Sequence, residues 1–125
     1  MWPFSLGKCM KFSESLKKNQ QFKTVYEHGV SRANRFLVVY RMENGMAENR
    51  LGISVSKKVG NSIVRHHLAR LVRESYRLSE ELYKPGYDIV VIARVAAKHA
   101  DYHDIDRSLG QLALKLDLLK DRDAE

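Results

Sequence analysis

With 125 residues, 44% of them hydrophobic, the chain has apolar side chains enough for one core and too few positions for two. Lys and Arg number 22 against 15 Asp and Glu, a net charge of +7 that points to a polyanionic partner, either nucleic acid or an anionic membrane. The longest apolar run, Ile89 to Ala93, is far short of the roughly 20 residues of a bilayer span, and the lone Cys9 leaves no internal disulfide or cysteine-based zinc site, so a reducing cytoplasm is the expected compartment.

Met1 to Cys9 is apolar but short, without a basic leading region or a small-residue cleavage site, which argues against a signal peptide. Residues 1–9 read as a poorly ordered extension from an upstream start codon, and the domain as residues 10–120. Asn19 as N-cap and Gly29 just past the last turn bracket a first helix, with Phe22, Val25 and Tyr26 at i, i+3, i+4 spacing and a possible earlier start at Ser13. Asn34 to Met42 alternates, with Phe36, Val38 and Tyr40 on one face and Leu37 and Val39 on the other, so this strand is covered on both sides.

Glu43-Asn44-Gly45 supplies a turn that tolerates positive φ, and Arg50 to Ser56 alternates again with Leu51, Ile53 and Val55 on one face. The two segments read as an antiparallel hairpin. On the second strand's other face Gly52, Ser54 and Ser56 are small and leave the surface open to a close neighbour, a ligand or a packed helix.

Asn61 caps a long helix reaching about Leu82, with Val64, Leu68, Leu71, Leu78 and Leu82 as a near-heptad apolar seam. At about 100° per residue the seam fills an arc of roughly 80°, and Arg65, His66, Arg70, Arg73 and Arg77 fill a separate arc of roughly 140°. Pro85-Gly86 breaks the chain before a third strand, Asp88 to Arg94, too continuous in Ile and Val to be half exposed. A final helix follows Asp101 or Asp104 and buries Ile105, Leu109, Leu112, Leu116 and Leu119, leaving a charged tail at 121–125. The order α-β-β-α-β-α defines an α+β fold, a two-layer α/β sandwich in which a βαβ crossover joins the second and third strands.

Residues 57–77 carry the chemistry, with six Lys or Arg against one acid, Glu74. Lys57, Lys58 and Gly60 lead into a helix N-terminus, where free N–H groups and the dipole favour a phosphate, and the arginines extend that track. An ordinary exposed helix face is charged too, but it mixes signs. A face that is almost wholly positive is destabilised by like-charge repulsion until a partner neutralises it, and structured RNA backbone is the expected partner.

This stretch resembles the signature of the bacterial ribonuclease P protein component, in which a Lys-Lys-x-Gly-Asn loop enters a helix with an Arg-Asn-Arg pattern and further arginines. Lys57, Lys58, Gly60, Asn61, Arg65, Arg70, Arg73 and Glu74 match; His66 and His67 stand where Asn and the second Arg usually lie, and Ala69 replaces a common Lys. The likeness continues through Leu16 to Asn19, Phe22, Tyr26, His28-Gly29, Ala33-Asn34-Arg35, Tyr40, Leu51 to Ser56 and Asp88 to Arg94, about Met10 to Lys120 in all. It implies a fold like domain 2 of ribosomal protein S5, with a left-handed βαβ crossover.

The resemblance also implies a function: subunit of a ribonucleoprotein that hydrolytically removes the 5′ leader of precursor tRNA, with the catalytic centre and its magnesium ions in the large RNA. The protein alone then binds no cofactor or metal and has no catalytic residue. Its implied partners are ribonuclease P RNA and precursor tRNA, not a membrane or DNA. The implied RNA-binding set is Lys57, Lys58, Gly60, Asn61, Arg65, His66, His67, Arg70, Arg73 and Arg77; a cleft between the first helix and the sheet is implied to hold the leader with Lys17, Lys18, Phe22, Tyr26, Asn34, Arg35 and Tyr40.

Aromatic faces stack on unpaired bases for roughly 1–3 kcal/mol per base without demanding a sequence, which suits leaders of varied sequence. Spacing alone fits Phe22, Tyr26 and Tyr40 to a core as well, and the likeness favours the groove. His99 and His103 have i, i+4 spacing but no third ligand, and Asp101, Asp104 and Asp106 read as caps and dipole partners rather than a metal cluster. Two other functions fit the composition: a ribosomal or general RNA-chaperone protein of similar fold, and a nuclease in its own right.

Overall fold

Each apolar alternation and period becomes an element in the computed structural model, which describes residues 13–16 and 18–120, with side chains from Ser15 onward. The expected extension at 1–9, Lys17 and the tail at 121–125 lie outside the described residues. In chain order the elements are β1 Ser13–Ser15, α1 Asn19–His28, β2 Val30–Ala33, β3 Leu37–Glu43, β4 Asn49–Val55, α2 Ser62–Leu78, β5 Tyr87–Ala93 and α3 Tyr102–Lys115. Short 3-10 turns at Glu80–Leu82 and Val95–His99 flank β5.

The strands form one mixed sheet in the order β1-β4-β5-β3-β2. The expected hairpin is not formed: β5 lies between β3 and β4, antiparallel to the first and parallel to the second. The reason is burial. Ile89, Val90 and Val91 are all fully enclosed, which requires a central strand covered on both faces. The β3–β4 loop therefore spans the start of β5, where Asn44 donates its backbone N–H to the Gly86 carbonyl (2.9 Å) and its amide to Asp88 Oδ1 (3.0 Å). The β4–α2–β5 unit is the expected parallel crossover.

Two strands carry no signal in the sequence. β1 takes the place of the proposed early helix start, pairing Ser13–Ser15 with Asn49–Leu51, and β2 is an edge strand with every residue exposed. Helix α1 is capped one residue earlier than expected: Lys18 is its N-cap, and the Gln21 side chain accepts from the Lys18 backbone N–H (3.1 Å). Gly29 ends the helix in extended backbone, φ −87°, so its smallness serves a close approach rather than a left-handed turn; a Cβ there would lie 2.6 Å from the Val25 carbonyl and 2.7 Å from that of Arg41.

One face of the sheet carries the main core, with Leu37, Val39, Leu51, Ile89 and Val91 under α2 and α3. The other face carries a smaller cluster in which α1 sets Val25 and Phe22 against Val90, Tyr40, Met42 and Ile92. The α2 seam also differs from the heptad reading. Leu68, Val72, Ser75 and Tyr76 are buried, whereas Leu78 and Leu82 are 60% and 56% exposed. A 3.6-residue period carries the buried stripe from Val72 to Tyr76, two residues short of Leu78. Helix α3 follows the sequence reading with Asp101 as N-cap, Ile105, Leu109 and Leu112 buried and Leu116 buried just past its end. Leu119, however, lies beyond the helix, partly buried and bridged to Tyr83, because the helix stops at Lys115 and Leu118 takes the buried position.

Candidate nucleic-acid interface

The loop from β4 to α2 is shaped by contacts that explain two of its residue types. Gly60 is needed because Val64 presses on it, leaving 2.8 Å to any Cβ, and Asn61 Oδ1 accepts from the Val64 backbone N–H (3.0 Å). Both residues thus shape the helix start, and Asn61's side-chain oxygen is already engaged. Lys57 and Lys58 project from this loop, exposed, and His66, His67 and Arg70 continue the exposed face along α2. Arg65 folds back, donating from Nη1 to the Gly60 carbonyl (3.0 Å), which fixes its guanidinium at the helix entrance.

Arg77 departs from the expected set. Its Nε and Nη2 grip both oxygens of Glu74 at 3.2 and 2.6 Å, so its charge is matched inside the helix. The cationic face is therefore densest in the first two-thirds of α2, next to the lysine loop.

On the sheet's other face, α1 and β4 enclose a cleft of about 440 Å³ lined by Asn19, Phe22, Lys23, Tyr26, Ile53 and Ser54. Phe22 seats against Gly52, where a Cβ would meet its ring at 2.7 Å. Tyr26 stands edge-on to Tyr40, ring centroids 5.1 Å apart, and remains 39% exposed. Burial pushes the Tyr26 hydroxyl above its ordinary pKa, with a hydrogen bond from Ser54 acting the other way. Phe22, Tyr26 and Tyr40 thus come together as an aromatic wall with one open ring, and exposed Lys18 stands at the start of the same helix. Lys23 was missed from the sequence, although Asn19, Lys23 and Tyr26 recur at helical spacing, and Ser54 comes from the small-residue face of β4 that the sequence leaves open to a close neighbour.

Asn34 and Arg35 are not in this cleft. Asn34 ties the β2–β3 turn to α3: Oδ1 accepts from the Phe36 and Leu37 backbone N–H groups and from Ser108 Oγ, and Nδ2 donates to the Ser108 carbonyl. Its amide is used up in holding the fold. Arg35 lies beside it with its guanidinium 5.2 Å from the Phe36 ring centre.

His99 sits in the turn after β5 and His103 in the first turn of α3; among the described residues no three His, Cys, Asp or Glu side chains come together as a metal site. Asp101 accepts from the Asp104 backbone N–H (2.8 Å), Asp104 reciprocates, and Asp106 accepts from Ser75 Oγ (2.6 Å), so these acids serve as caps and an interhelix tie.

A basic α+β domain with a cationic helix on one sheet face and an aromatic cleft on the other is an RNA-binding protein by its chemistry. The Ribonuclease P family matches it over residues 10–117. The ribonuclease P protein component of Lachnoclostridium phytofermentans is 54% identical over 101 residues, covering 81% of this chain and 87% of its own, and that of Clostridioides difficile is 50% identical over 107 residues, covering 85% and 94%. Among solved structures, the RNase P protein of Staphylococcus aureus superposes with a TM-score of 0.79 at 37% identity, covering 85% of this chain and 97% of its own. That of Thermotoga maritima gives 0.73 at 33%, covering 78% and 93%.

The chain belongs to the ribonuclease P protein component family. It is the protein part of the ribonucleoprotein endoribonuclease that matures the 5′ ends of tRNA, and RNA is its partner.

Proposed function

We propose that this chain binds the catalytic RNA of ribonuclease P through the β4–α2 loop and the face of α2, and holds the single-stranded 5′ leader of precursor tRNA in the α1 cleft. Hydrolysis and its magnesium ions then belong to the RNA, and the protein supplies affinity and substrate position in the cytoplasm. Among the described residues no helix is long and apolar enough to cross a membrane.

The observation that carries this reading is the separation of two chemistries by one sheet. Lys57, Lys58 and Arg70 present exposed positive charge, with the exposed imidazoles of His66 and His67 beside them as polar groups, as a backbone of fixed shape requires. Tyr26 presents an open ring with Lys23 beside it, as an unpaired base and its phosphate require. Tyr26→Ala tests the cleft: it should weaken binding of precursor tRNA to the reconstituted holoenzyme by roughly tenfold, about one lost stacking interaction, while mature tRNA binds as before. Equal loss for both tRNAs would remove the leader from the cleft. A general RNA chaperone would instead fail to support 5′ processing when mixed with the large RNA.

A further inference from the structure

The arginines of this protein divide by how they are held. Arg50 and Arg77 are neutralised, the first by a two-pronged bond to buried Asp88 at 2.8 Å for each prong, the second by Glu74. Arg35 and Arg94 are positioned without being neutralised. Arg94 Nη1 donates to the Asn34 carbonyl (2.7 Å), and Arg35 rests on the Phe36 ring; among the described residues neither has a carboxylate within ion-pair distance. Arg107, with its side chain 65% exposed, faces the same place from α3 and has only a loose approach to Asp104, 3.7 Å.

Arg35 and Arg107 line a shallow pocket of about 200 Å³ together with Asn34, Phe36, Ser108 and Gln111, with Asp104 as its one acid, and Arg94 reaches this wall through the Asn34 carbonyl. Asn34 spends its amide on α3 and on the β2–β3 turn, which ties the two walls of the pocket together. Guanidiniums anchored through a ring face or a carbonyl keep donors directed to solvent, which is the arrangement that receives a phosphate through paired N–H groups.

The topology says which phosphate. Leu37 and Val55 both register with Ala93, so the start of β3 and the ends of β4 and β5 lie at one end of the sheet. Arg35 before β3, Arg94 after β5 and the Lys57-Lys58 loop after β4 therefore follow one another across that end, on neighbouring strands about 4.8 Å apart. The pocket is also on the α2–α3 side, opposite the aromatic cleft.

We infer that the Arg35–Arg107 pocket is a second anion subsite, which takes a backbone phosphate of ribonuclease P RNA as that RNA runs from the α2 face across this end of the sheet. This rests on the proposed assignment of α2 to the same RNA, and the experiment keeps the two apart. The full-length chain is titrated with ribonuclease P RNA across a salt series, comparing wild type, Arg35→Ala/Arg107→Ala, and Arg65→Ala/Arg73→Ala, with thermal melts to verify folding. The pocket variant should bind about tenfold more weakly at moderate salt, with the salt slope lowered by about two units.

Wild-type affinity and slope for the pocket variant, with the α2 variant impaired, overturn the subsite and leave the α2 reading intact. Wild-type behaviour of both overturns the α2 reading itself. In the holoenzyme, a loss confined to precursor tRNA would assign the pocket to the substrate and also overturn the inference. A hydroxyl-radical source on Gln111→Cys, in a Cys9→Ser background, gives a readout independent of the arginine variants. It should cut ribonuclease P RNA, and an uncut RNA counts against the subsite.

Discussion

Arg65, Arg73 and Arg77 sit within one helix, yet the structure gives Arg77 a different role. Glu74 already holds its guanidinium through two bonds, so it has less to offer a phosphate than a residue such as Arg65, whose anchor is a backbone carbonyl. Arg65→Ala and Arg73→Ala should each lower the slope of log affinity against log salt by about one unit, and Arg77→Ala by clearly less. Equal slopes for all three in salt titrations would show that the Glu74 pair opens on binding.

Asp101 makes a pH prediction at the same scale. The Asp104 backbone N–H holds its carboxyl below the ordinary value of 3.8. A depressed folded-state pKa means that the capping contribution is present above 3.8 and is lost as pH falls through the lower folded value. Asp101→Asn keeps an acceptor that does not titrate, so between pH 5 and pH 2 its melting temperature should fall less steeply than that of the wild type.

Among the elements, α1 is placed by Gly52 as much as by its own apolar residues. Gly52→Val pushes a side chain into the Phe22 ring and should destabilise the protein by about 1–3 kcal/mol, with loss of the cleft's shape. Denaturant unfolding measures the first effect, and the ratio of precursor to mature tRNA affinity measures the second. Asn34→Ala acts on the opposite layer. It strands the Phe36 and Leu37 N–H groups and Ser108, and should cost roughly 2 kcal/mol or more of stability. A stable Asn34→Ala variant with selectively weakened precursor binding would return Asn34 to the leader site.

For the whole molecule, the sheet separates two surfaces, and their energetics should separate too. Tyr26→Ala should leave the salt slope for ribonuclease P RNA unchanged, and Arg73→Ala should leave the preference for precursor over mature tRNA unchanged. Groups lying on opposite faces with no shared partners add independently, so a double variant should show the sum of the two losses within about 0.5 kcal/mol. A larger coupling would mean that the two RNA segments meet on the protein.

Much of this was legible in the residues. The period of α3, the Asn61 cap, the positive face of α2 and the double-sided burial of β3 and β5 are local patterns, because helix and strand periodicity and the chemistry of a cap depend on near neighbours in the chain. Where a segment's partner is distant in sequence, the local pattern is silent. The edge strands β1 and β2 have short or fully exposed segments, the insertion of β5 between β3 and β4 depends on which strand buries most, and Leu78 lies off the stripe that Tyr76 continues. Sequence thus determined the charge, the aromatic set and the kind of ligand. The Arg77–Glu74 pair is local, three residues apart on one helix, whereas only the tertiary structure decided that Asn34 is a strut and that Arg35 and Arg107 line one pocket, because those partners are fixed by packing across the fold and not by spacing along the chain.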